Sequence, residues 1–251
     1  MSEKIIYFNL LDNIEKNYII RKILKLSYEQ ILISKEKIVA NNIMEKIAKL
    51  YLINKKPLSK IFREKAFWTQ NFYTNKNTLD PRPETEGIIE QVLKIYNKDD
   101  FFSVLDLGSG TGCIGLSILT EFPNAKLTML DISYSALKIA KYNTRKLNLL
   151  SRANFIRNNW LNDFNEKYDL LVSNPPYLTK NQINSNYDVL KYDPYIALYD
   201  ETGLSKYHDI YNKKHLFKHI ILEISFILKE NIHHLFQGQI ITNDIYYYKN
   251  N

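Results

Sequence analysis

Four consecutive side chains and their backbone could together hold a planar amino group: Asn174, Pro175, Pro176 and Tyr177. They follow the apolar run 169–173, which we predict to be a buried strand. Because proline has no backbone N–H, the prolines end the strand at its carboxyl end, where ligands bind in open α/β sheets. An amino group there could donate to the Asn174 side-chain oxygen and the Pro175 carbonyl, and the Tyr177 ring could cover its face. The alternative on these residues alone is an Asn-Pro turn that closes a strand.

A glycine-rich segment, residues 106–112, joins an earlier predicted strand to a helix and reads Asp-Leu-Gly-Ser-Gly-Thr-Gly. Glycines allow a tight turn and the close approach of a ligand. The N-terminus of the following helix supplies N–H groups and the positive end of the helix dipole. Asp131, at the end of the next predicted strand, is placed to accept hydrogen bonds from ribose hydroxyls. Together they predict a site for a ligand that contains a ribose.

Two classes of ligand fit this loop. Residues 110–115 match the Gly-x-Gly-x-x-Gly fingerprint of dinucleotide sites, and Asp131 follows at the expected distance of about 20 residues. However, the predicted strand ends at Leu107, and counting from the next glycine puts Cys113 where the third glycine belongs. Asp106, at the mouth of the strand, also suits a cationic ligand better than a pyrophosphate. S-adenosylmethionine has a ribose, an adenine, a sulfonium and an amino group but no phosphate, and we favour it.

From residue 101 onwards the chain alternates predicted strands and helices. Strands are predicted at 102–107, 126–130, 153–157, 169–173 and 219–225, with one or two more within 239–248. Helices are predicted at 113–122, from 134 onwards and at about 204–217, and residues 178–203 are predicted to form a long polar loop. This alternation predicts an α/β fold, with a mostly parallel, Rossmann-like sheet that is covered by helices on both faces.

Residues 1–66 are predicted to form a small helical domain. Within 35–54, apolar residues recur at three- and four-residue steps, as expected for an amphipathic helix: Val39, Ile43, Ile47, Leu50 and Tyr51. Residues 67–79 lack helical periodicity and are predicted to be a hairpin or a linker. Residues 80–251 then form the second domain, whose first segment is Pro81-Arg82-Pro83-Glu84-Thr85-Glu86.

Composition narrows the classes of protein that this chain could be. The formal net charge of the 251 residues is +7, but the basic residues are spread along the chain, so direct nucleic-acid binding is not indicated. The single cysteine, Cys113, makes an intramolecular disulfide impossible and argues against a cysteine-based zinc site. His215 and His219 have no third ligand beside them and are interpreted as a solvated helix face, so no metal is expected. With neither a secretory signal nor an apolar run of about 20 residues, a cytoplasmic protein is expected.

The two motifs together resemble class I S-adenosylmethionine-dependent methyltransferases that modify a planar nitrogen. Upstream segments narrow the resemblance to the peptide chain release factor N5-glutamine methyltransferases, the PrmC/HemK family. They are Lys56-Pro57-Leu58, Phe67-Trp68 and the stretch 79–86 with its Pro-Arg-Pro-Glu-Thr-Glu sequence. Asp131-Ile132-Ser133 and Asp193-Pro194 with Ala197-Leu198 also resemble that family. The similarity runs from the helical domain almost to the C-terminus.

The resemblance implies a role for each motif. Gly108, Ser109, Gly110, Thr111 and Gly112 would line the cofactor, with Asp131 on its ribose and Trp160 along its adenine. Asn174 would touch both cofactor and substrate. Asn174, Pro175 and Tyr177 would be catalytic, and with Pro176 they would bind the substrate. That substrate would be the Gly-Gly-Gln glutamine of class 1 peptide chain release factors, methylated on its side-chain amide nitrogen. The helical domain would help to dock the release factor, and we expect a monomer with no membrane partner.

The chain departs from the family pattern at three places. Asn158-Asn159 precede Trp160 where the family usually has an acidic residue, Asp193 stands where it usually has Glu, and the segment before Glu223 lacks the expected glycines. Two alternatives stay open. A nucleic-acid methyltransferase acting on adenine N6 or guanine N2 would need a base-reading surface, and no separate recognition domain fits in the rest of the chain. A catalytically silent S-adenosylmethionine-binding subunit would have no use for Asn174 and Tyr177.

Overall fold

The structure is a computed structural model that describes residues 7–34 and 40–250. The described residues form two compact units, one ending at Arg63 and the other beginning at Glu64. The sequence placed the end of the helical domain at residue 66, so residues 64–66 lie in the second unit instead.

The first unit is helical. Within residues 7–34 and 40–63, a 3-10 turn, Tyr7–Leu10, precedes four helices: α1 (Asn13–Leu24), α2 (Tyr28–Ser34), α3 (Asn42–Leu52) and α4 (Leu58–Phe62). Helix α1 begins with a capping box, in which the Asp12 carboxylate accepts the Glu15 N–H at 2.8 Å and the Glu15 carboxylate accepts the Asp12 N–H at 3.1 Å. The helices bury one small apolar core, which includes Ile19, Ile20 and Met44.

Helix α3 buries a face that overlaps the predicted one, since Ile47 is buried and Tyr51 packs against the core. Met44, Ile47 and Ala48 are buried, whereas Ile43 is 58% exposed. The buried residues keep the three- and four-residue spacing of a helix face, rotated by one position from the predicted one. Val39, which was part of the predicted face, lies outside the described residues.

The second unit opens with an antiparallel hairpin, β1 (Glu64–Phe67) and β2 (Gln70–Tyr73). Phe67 and Phe72 are buried, with their ring centroids 6.1 Å apart in an edge-to-face contact. Trp68, in the turn, has a left-handed backbone (φ 54°), and its N–H donates to the Glu86 carboxylate at 2.8 Å. Residues 67–79 were predicted to be a hairpin or a linker. Their first part, up to Tyr73, forms the turn and the second strand of a hairpin.

The body of the second unit is a seven-stranded sheet. Its strands are β3 (Ser103–Leu107), β4 (Lys126–Asp131), β5 (Ala153–Arg157), β6 (Tyr168–Ser173), β7 (Phe217–Glu223), β8 (Gln239–Ile240) and β9 (Ile245–Lys249). They lie in the order β5-β4-β3-β6-β7-β9-β8. The first five are parallel, and β9 is antiparallel to both β7 and β8. The predicted α/β fold class is confirmed.

Seven helices belong to this unit: α5 (Glu86–Ile95), α6 (Cys113–Glu121), α7 (Tyr134–Lys146), α8 (Lys180–Ser185), α9 (Tyr187–Leu190), α10 (Ser205–Asn212) and α11 (Lys229–Phe236). Residues alternate between the two faces of each strand. Val104 in β3 joins the core that holds α5 and α6, whereas Leu105 and Leu107 join the core that holds α10 and α11. The central strands are therefore buried on both faces, which accounts for their continuous apolar sequence.

The C-terminal half differs from the prediction in three places. The predicted loop 178–203 contains α8 and α9, and α8 begins with a capping box between Thr179 and Gln182 that its polar composition obscured. Helix α11 was not predicted. His219 lies in β7, with its Nδ1 2.9 Å from the Tyr247 hydroxyl, so it is not on a helix face as interpreted.

Candidate functional site

The carboxyl ends of three neighbouring strands form one edge where the sequence motifs meet. Strand β3 lies between β4 and β6, so the glycine loop, Asp131 and Asn174 emerge side by side. The chain winds outward in one direction through β4 and β5 and in the other through β6 and β7. In open α/β sheets, ligands bind at the crevice that such a change of direction creates.

The glycine loop turns through left-handed backbone conformations that favour glycine. The φ angles of Gly108, Gly110 and Gly112 are 74°, 55° and 79°. The N–H groups of Gly108 and Ser109 donate to the Leu130 carbonyl at 2.8 and 3.1 Å, which ties the loop to β4. A Cβ placed on Gly110 would meet its nearest neighbour only at 4.0 Å, whereas one on Gly112 would lie 3.0 Å from the Met129 sulfur. Gly110 thus leaves room for a ligand, and Gly112 leaves room for packing.

Asp131 supports the loop and faces the same cavity. Its Oδ2 accepts the Gly110 N–H at 2.9 Å, and its Oδ1 accepts the Ser133 N–H at 2.8 Å. Burial raises the pKa of the carboxyl above its ordinary value, against the two hydrogen bonds, which favour the charged form. Because each carboxylate oxygen has two lone pairs, both oxygens can still accept a hydroxyl proton.

A cavity of about 300 Å³ lies in front of this edge. It is lined by eight of the residues predicted from the sequence: Gly108, Ser109, Gly110, Thr111, Asp131, Trp160, Asn174 and Pro176. Gly112 lies behind the loop, where its N–H donates to the Ser109 carbonyl at 2.7 Å and helix α6 begins. Lys206 and Tyr199 also line the cavity. The sequence did not predict these two residues. They come from the region between β6 and β7, where no motif indicated which side chains face the site.

Trp160 lies against the glycine loop. A Cβ on Gly108 would be 3.4 Å from Trp160 Cζ3, so the ring occupies the space that the glycine leaves. The Lys206 ammonium lies 5.6 Å from the centroid of the ring. The side chain is only 9% exposed, and among the described residues none accepts a hydrogen bond from its Nε1. Trp160 therefore offers an aromatic surface beside the loop, whereas its Nε1 is buried in the protein.

Asp106 does not face the cavity, and the sequence argument that it would meet a cationic ligand is wrong. It is fully buried, and its Oδ2 accepts the Gly115 N–H of α6 at 3.0 Å. The reason is strand alternation: Leu105 and Leu107 point to one face of β3, so Asp106 points to the other. Burial raises the pKa of this carboxyl to about 7, helped by the charge of Asp131 and opposed by the Gly115 hydrogen bond.

Asp106→Asn is expected to remove a pH-dependence of stability. The unfolded chain releases the Asp106 proton near its ordinary pKa of 3.8, whereas the folded protein holds it until about 7. As the pH rises through this interval, the folded state binds more protons than the unfolded state, so the free energy of unfolding falls. Each unit of pKa difference corresponds to about 1.4 kcal/mol, so the wild type should lose a few kcal/mol relative to the variant.

Urea unfolding of both proteins between about pH 4 and pH 8 measures this difference. The unfolding free energy of the wild type, minus that of Asp106→Asn, should be largest at the acidic end and should fall as the pH rises to about 7. A difference in unfolding free energy that stays constant across the range would contradict the assignment.

The Asn-Pro-Pro-Tyr segment begins directly after β6. The Ser173 hydroxyl donates to the Leu107 carbonyl at 2.7 Å, which fixes the end of β6 against β3. Asn174 is half-buried, and its Nδ2 donates to Thr85 Oγ1 at 3.3 Å. The Thr85 hydroxyl in turn donates to the Glu223 carboxylate. Thr85 belongs to a segment that resembles the family, and Glu223 follows a segment that departs from its pattern. The sequence did not indicate that either residue contacts Asn174.

A second cavity, of about 350 Å³, also contacts Asn174. Pro175, Tyr177 and Glu223 line it, and Asn174 and Pro176 line both cavities. Burial raises the pKa of Tyr177 to about 12, with a contribution from the charge of Glu223, so its phenol stays protonated. The second cavity therefore offers an aromatic ring and polar groups next to Asn174.

One ion pair joins the Pro-Arg-Pro-Glu-Thr-Glu segment to the chain between β6 and β7. The Arg82 guanidinium lies 2.9 Å from Asp193 Oδ2, and Asp193 Oδ1 accepts the Asp80 N–H at 3.3 Å. Arg82 lines both cavities. Asp193, one of the departures from the family pattern, thus connects its own loop to residues 80–82 beside the two cavities.

The described ranges contain neither a candidate metal-binding cluster nor a candidate membrane-spanning helix. Within residues 7–34 and 40–250, no three His, Cys, Asp or Glu side chains are grouped so that they could hold a metal ion. No helix in the same ranges has the length and apolarity that a membrane span needs.

Comparisons with known proteins agree with this geometry. Residues 89–191 match the family described as methyltransferase small domain. A release factor glutamine methyltransferase of Buchnera aphidicola subsp. Schizaphis graminum is 42% identical over 142 residues, which are 57% of this chain and 51% of the relative. A bifunctional methyltransferase of Rickettsia typhi is 36% identical over 205 residues, which are 72% of this chain and 40% of the relative. The chain thus spans about half or less of the length of these relatives.

Solved structures show the same fold at low sequence identity. A 16S rRNA N2 G1207 methyltransferase of T. thermophilus, solved in complex with AdoMet and guanosine, superimposes with a TM-score of 0.56. It is 11% identical, and the match covers 75% of this chain and 50% of that one. The resemblance predicted from the sequence is confirmed as a similarity: the chain has the fold of solved methyltransferases, residues 89–191 match the methyltransferase small domain family, and more than half of the chain is similar in sequence to release factor glutamine methyltransferases.

Proposed function

We propose that this chain transfers a methyl group from S-adenosylmethionine to the glutamine side-chain amide nitrogen in the Gly-Gly-Gln motif of class 1 peptide chain release factors. The observation that carries the proposal is that Asn174 lines two cavities at once. One also holds the glycine loop and Asp131, and the other also holds Pro175 and Tyr177. Two reactants bound on either side of Asn174 would meet there. The similarity to release factor glutamine methyltransferases supports the choice of substrate.

The residues of the first cavity fit S-adenosylmethionine. Asp131 has acceptor capacity left for ribose hydroxyls, and Gly110 presents a backbone with no side chain in the way. Trp160 would lie along the adenine, since its side chain lines this cavity. Gly108, Ser109 and Thr111 would complete the loop around the cofactor. When bound, S-adenosylmethionine supplies an electrophilic methyl group on a positively charged sulfur.

Asn174 and Pro175 would prepare the acceptor nitrogen. An amide nitrogen is a poor nucleophile because its lone pair is delocalised into the carbonyl group. The Asn174 side-chain oxygen and the Pro175 carbonyl can each accept one of its hydrogens, and Tyr177 can cover the face of the amide. Orientation of this kind can contribute about 7–11 kcal/mol in well-aligned cases. The two oxygens also stabilise positive charge as it develops on the nitrogen. The proton can leave after transfer, so no general base is required.

The partners and location follow from the same proposal. The helical unit exposes large apolar side chains, among them Ile14 and Ile33, and we assign it to docking of the release factor. Because release factors act on ribosomes, the reaction would take place in the cytoplasm. We propose that the enzyme acts as a monomer, without a metal and without direct binding to nucleic acid or membranes.

One assay with labelled S-adenosylmethionine tests the proposal. Three acceptors are offered separately: a release factor, the same factor with the Gly-Gly-Gln glutamine changed to alanine, and a mixture of duplex DNA and ribosomal RNA. Label should appear on the unmodified release factor alone. Equal label on the alanine variant, or label on nucleic acid, would contradict the proposal. Cofactor binding without transfer to any acceptor would favour a silent subunit.

A further inference from the structure

We infer that Thr85 and Glu223 are positioning residues, which hold the Asn174 side chain with its oxygen turned toward the acceptor nitrogen. The inference rests on the proposed function, in which that oxygen accepts a hydrogen from the substrate amide. It concerns which way the Asn174 amide faces. The two ends of an Asn amide have nearly the same shape, so only its hydrogen-bond partners can decide between them.

The directions of the Thr85–Glu223 and Asn174–Thr85 hydrogen bonds determine which end of the Asn174 amide faces Thr85. A threonine hydroxyl has one proton and two lone pairs. The Thr85 hydroxyl donates that proton to the Glu223 carboxylate, so Thr85 Oγ1 can only accept from Asn174. The group that faces it at 3.3 Å is therefore the Asn174 amino group. With the amide turned over, two oxygens would face each other without a proton between them, which would leave buried acceptors unsatisfied.

The two hydrogen bonds from Asn174 to Thr85 and from Thr85 to Glu223 form a relay, and its residues lie on packed elements. Thr85 is 2% exposed and Glu223 is 5% exposed, so water competes little for either hydrogen bond. Thr85 ends a 3-10 turn that runs directly into α5, and Glu223 is the last residue of β7. The Tyr207 hydroxyl donates to the Glu223 backbone carbonyl at 3.0 Å, which fixes that strand end. A side chain held by groups on packed elements keeps its orientation better than one on a free loop.

The relay in this direction requires an ionised Glu223. A protonated Glu223 could donate to Thr85, and the Thr85 proton would then be free to turn toward Asn174 and let the amide reverse. Burial raises the pKa of Glu223 to about 7. The nearby carboxylates Glu84 and Asp244 raise it further, and the hydrogen bonds from Thr85 and Asn174 oppose the shift. The phenols of Tyr177 and Tyr207, whose pKa values are raised by burial, remain neutral beside it.

A pair of Thr85 variants separates positioning from packing. Thr85→Val keeps the shape and removes the hydroxyl, and Thr85→Ser keeps the hydroxyl. At saturating cofactor, kcat should fall about 10- to 100-fold in Thr85→Val, as for a misplaced reacting group. The Kd for S-adenosylmethionine and the KM for the release factor should change little. Thr85→Ser should recover most of kcat, which a purely apolar packing role would not predict.

Thr144→Val is the matched control. The Thr144 hydroxyl is also buried, and it donates to the Ala140 carbonyl at 2.7 Å within α7, away from both cavities. This variant should lose thermal stability without a change in kcat. If Thr144→Val lowers kcat as much as Thr85→Val does, the effect reflects general loss of stability and the inference is overturned.

The pH profile of kcat provides a second readout that needs no Thr85 variant to fold. Wild-type kcat should fall as the pH is lowered through about 7, since protonation of Glu223 releases the relay. Glu223→Gln, which cannot ionise, should have a lower kcat that no longer changes across that interval. An unchanged acidic limb in Glu223→Gln would show that another group titrates and would overturn the inference.

The outcomes also separate this inference from the proposed function. If the wild type methylates the release factor but Thr85→Val is equally fast, the relay is refuted and the function stands. If the wild type methylates no release factor, the function fails, and the relay is tested by the side-chain amide NMR signal of Asn174. That signal should move in Thr85→Val and return in Thr85→Ser, and an unmoved signal would refute the relay.

Discussion

Asn174→Ala should nearly abolish methyl transfer and leave the affinity for S-adenosylmethionine within about tenfold of the wild type. Asn174 is one of many residues around the first cavity, and a tenfold change corresponds to about 1.4 kcal/mol, a reasonable loss for one contact. Its oxygen, however, is one of only two acceptors assigned to the substrate amide. Removing it should therefore affect the chemical step far more than cofactor binding.

Calorimetric titration gives the cofactor Kd, and single-turnover transfer to a release factor gives the rate of the chemical step. Asn124→Ala is the matched control, because Asn124 precedes the amino end of β4 and donates to the Asp99 carbonyl at 2.9 Å, away from the site. It should leave the rate unchanged. If Asn174→Ala lost cofactor binding as strongly as transfer, Asn174 would act mainly as a cofactor ligand, and its proposed role at the acceptor nitrogen would be wrong.

Asp131→Ala should have the opposite signature, with a Kd for S-adenosylmethionine at least about 100-fold higher. The variant loses the acceptor for ribose hydroxyls, and it also leaves the Gly110 and Ser133 N–H groups without their partner. Hydrogen bonds to a charged group contribute about 1.5–3 kcal/mol each, so losing the two that the ribose hydroxyls would make reaches or exceeds a 100-fold effect on Kd. Once cofactor is saturating, the rate of transfer should stay within about tenfold of the wild type.

Asp131→Asn is the informative comparison for this prediction. It has nearly the same shape and keeps one oxygen as an acceptor, so its Kd should lie between those of the wild type and Asp131→Ala. A melting curve for each variant shows how much of the change comes from the loosened loop. A Kd for Asp131→Ala within about threefold of the wild type would show that the ribose is held elsewhere.

The features that the sequence predicted correctly depend on short-range physics. Strand β3 and the glycine loop are recognisable because a strand buried on both faces must be apolar throughout, and because left-handed turns favour glycine. The same reasoning located Asp131 at the end of β4. Helices α8 and α9 were missed because their stability comes from capping and tertiary contacts, which polar and aromatic residues such as those of 178–203 do not reveal.

The glycine motif led to a wrong prediction for the direction of the Asp106 side chain, although strand alternation indicated the correct one. As the first residue of a glycine motif it was interpreted as facing the ligand. The alternation of Leu105, Asp106 and Leu107 on a strand already places it on the opposite face from its neighbours. Which of those faces lies beneath α6 is a tertiary fact, and it made Asp106 a buried carboxyl that binds Gly115.

Local sequence patterns were enough to predict the strand-loop-helix units and the polar groups at the ends of their strands. Burial, glycine conformation and proline's missing N–H all act within a few residues. Only the tertiary structure brought Thr85, Asn174 and Glu223 together, because the order of strands in the sheet sets which segments become neighbours. No local pattern encodes the direction of a hydrogen bond between residues so far apart in the chain. The motif therefore identified the side chain, and the fold supplied the hydrogen-bond partner that orients its amide.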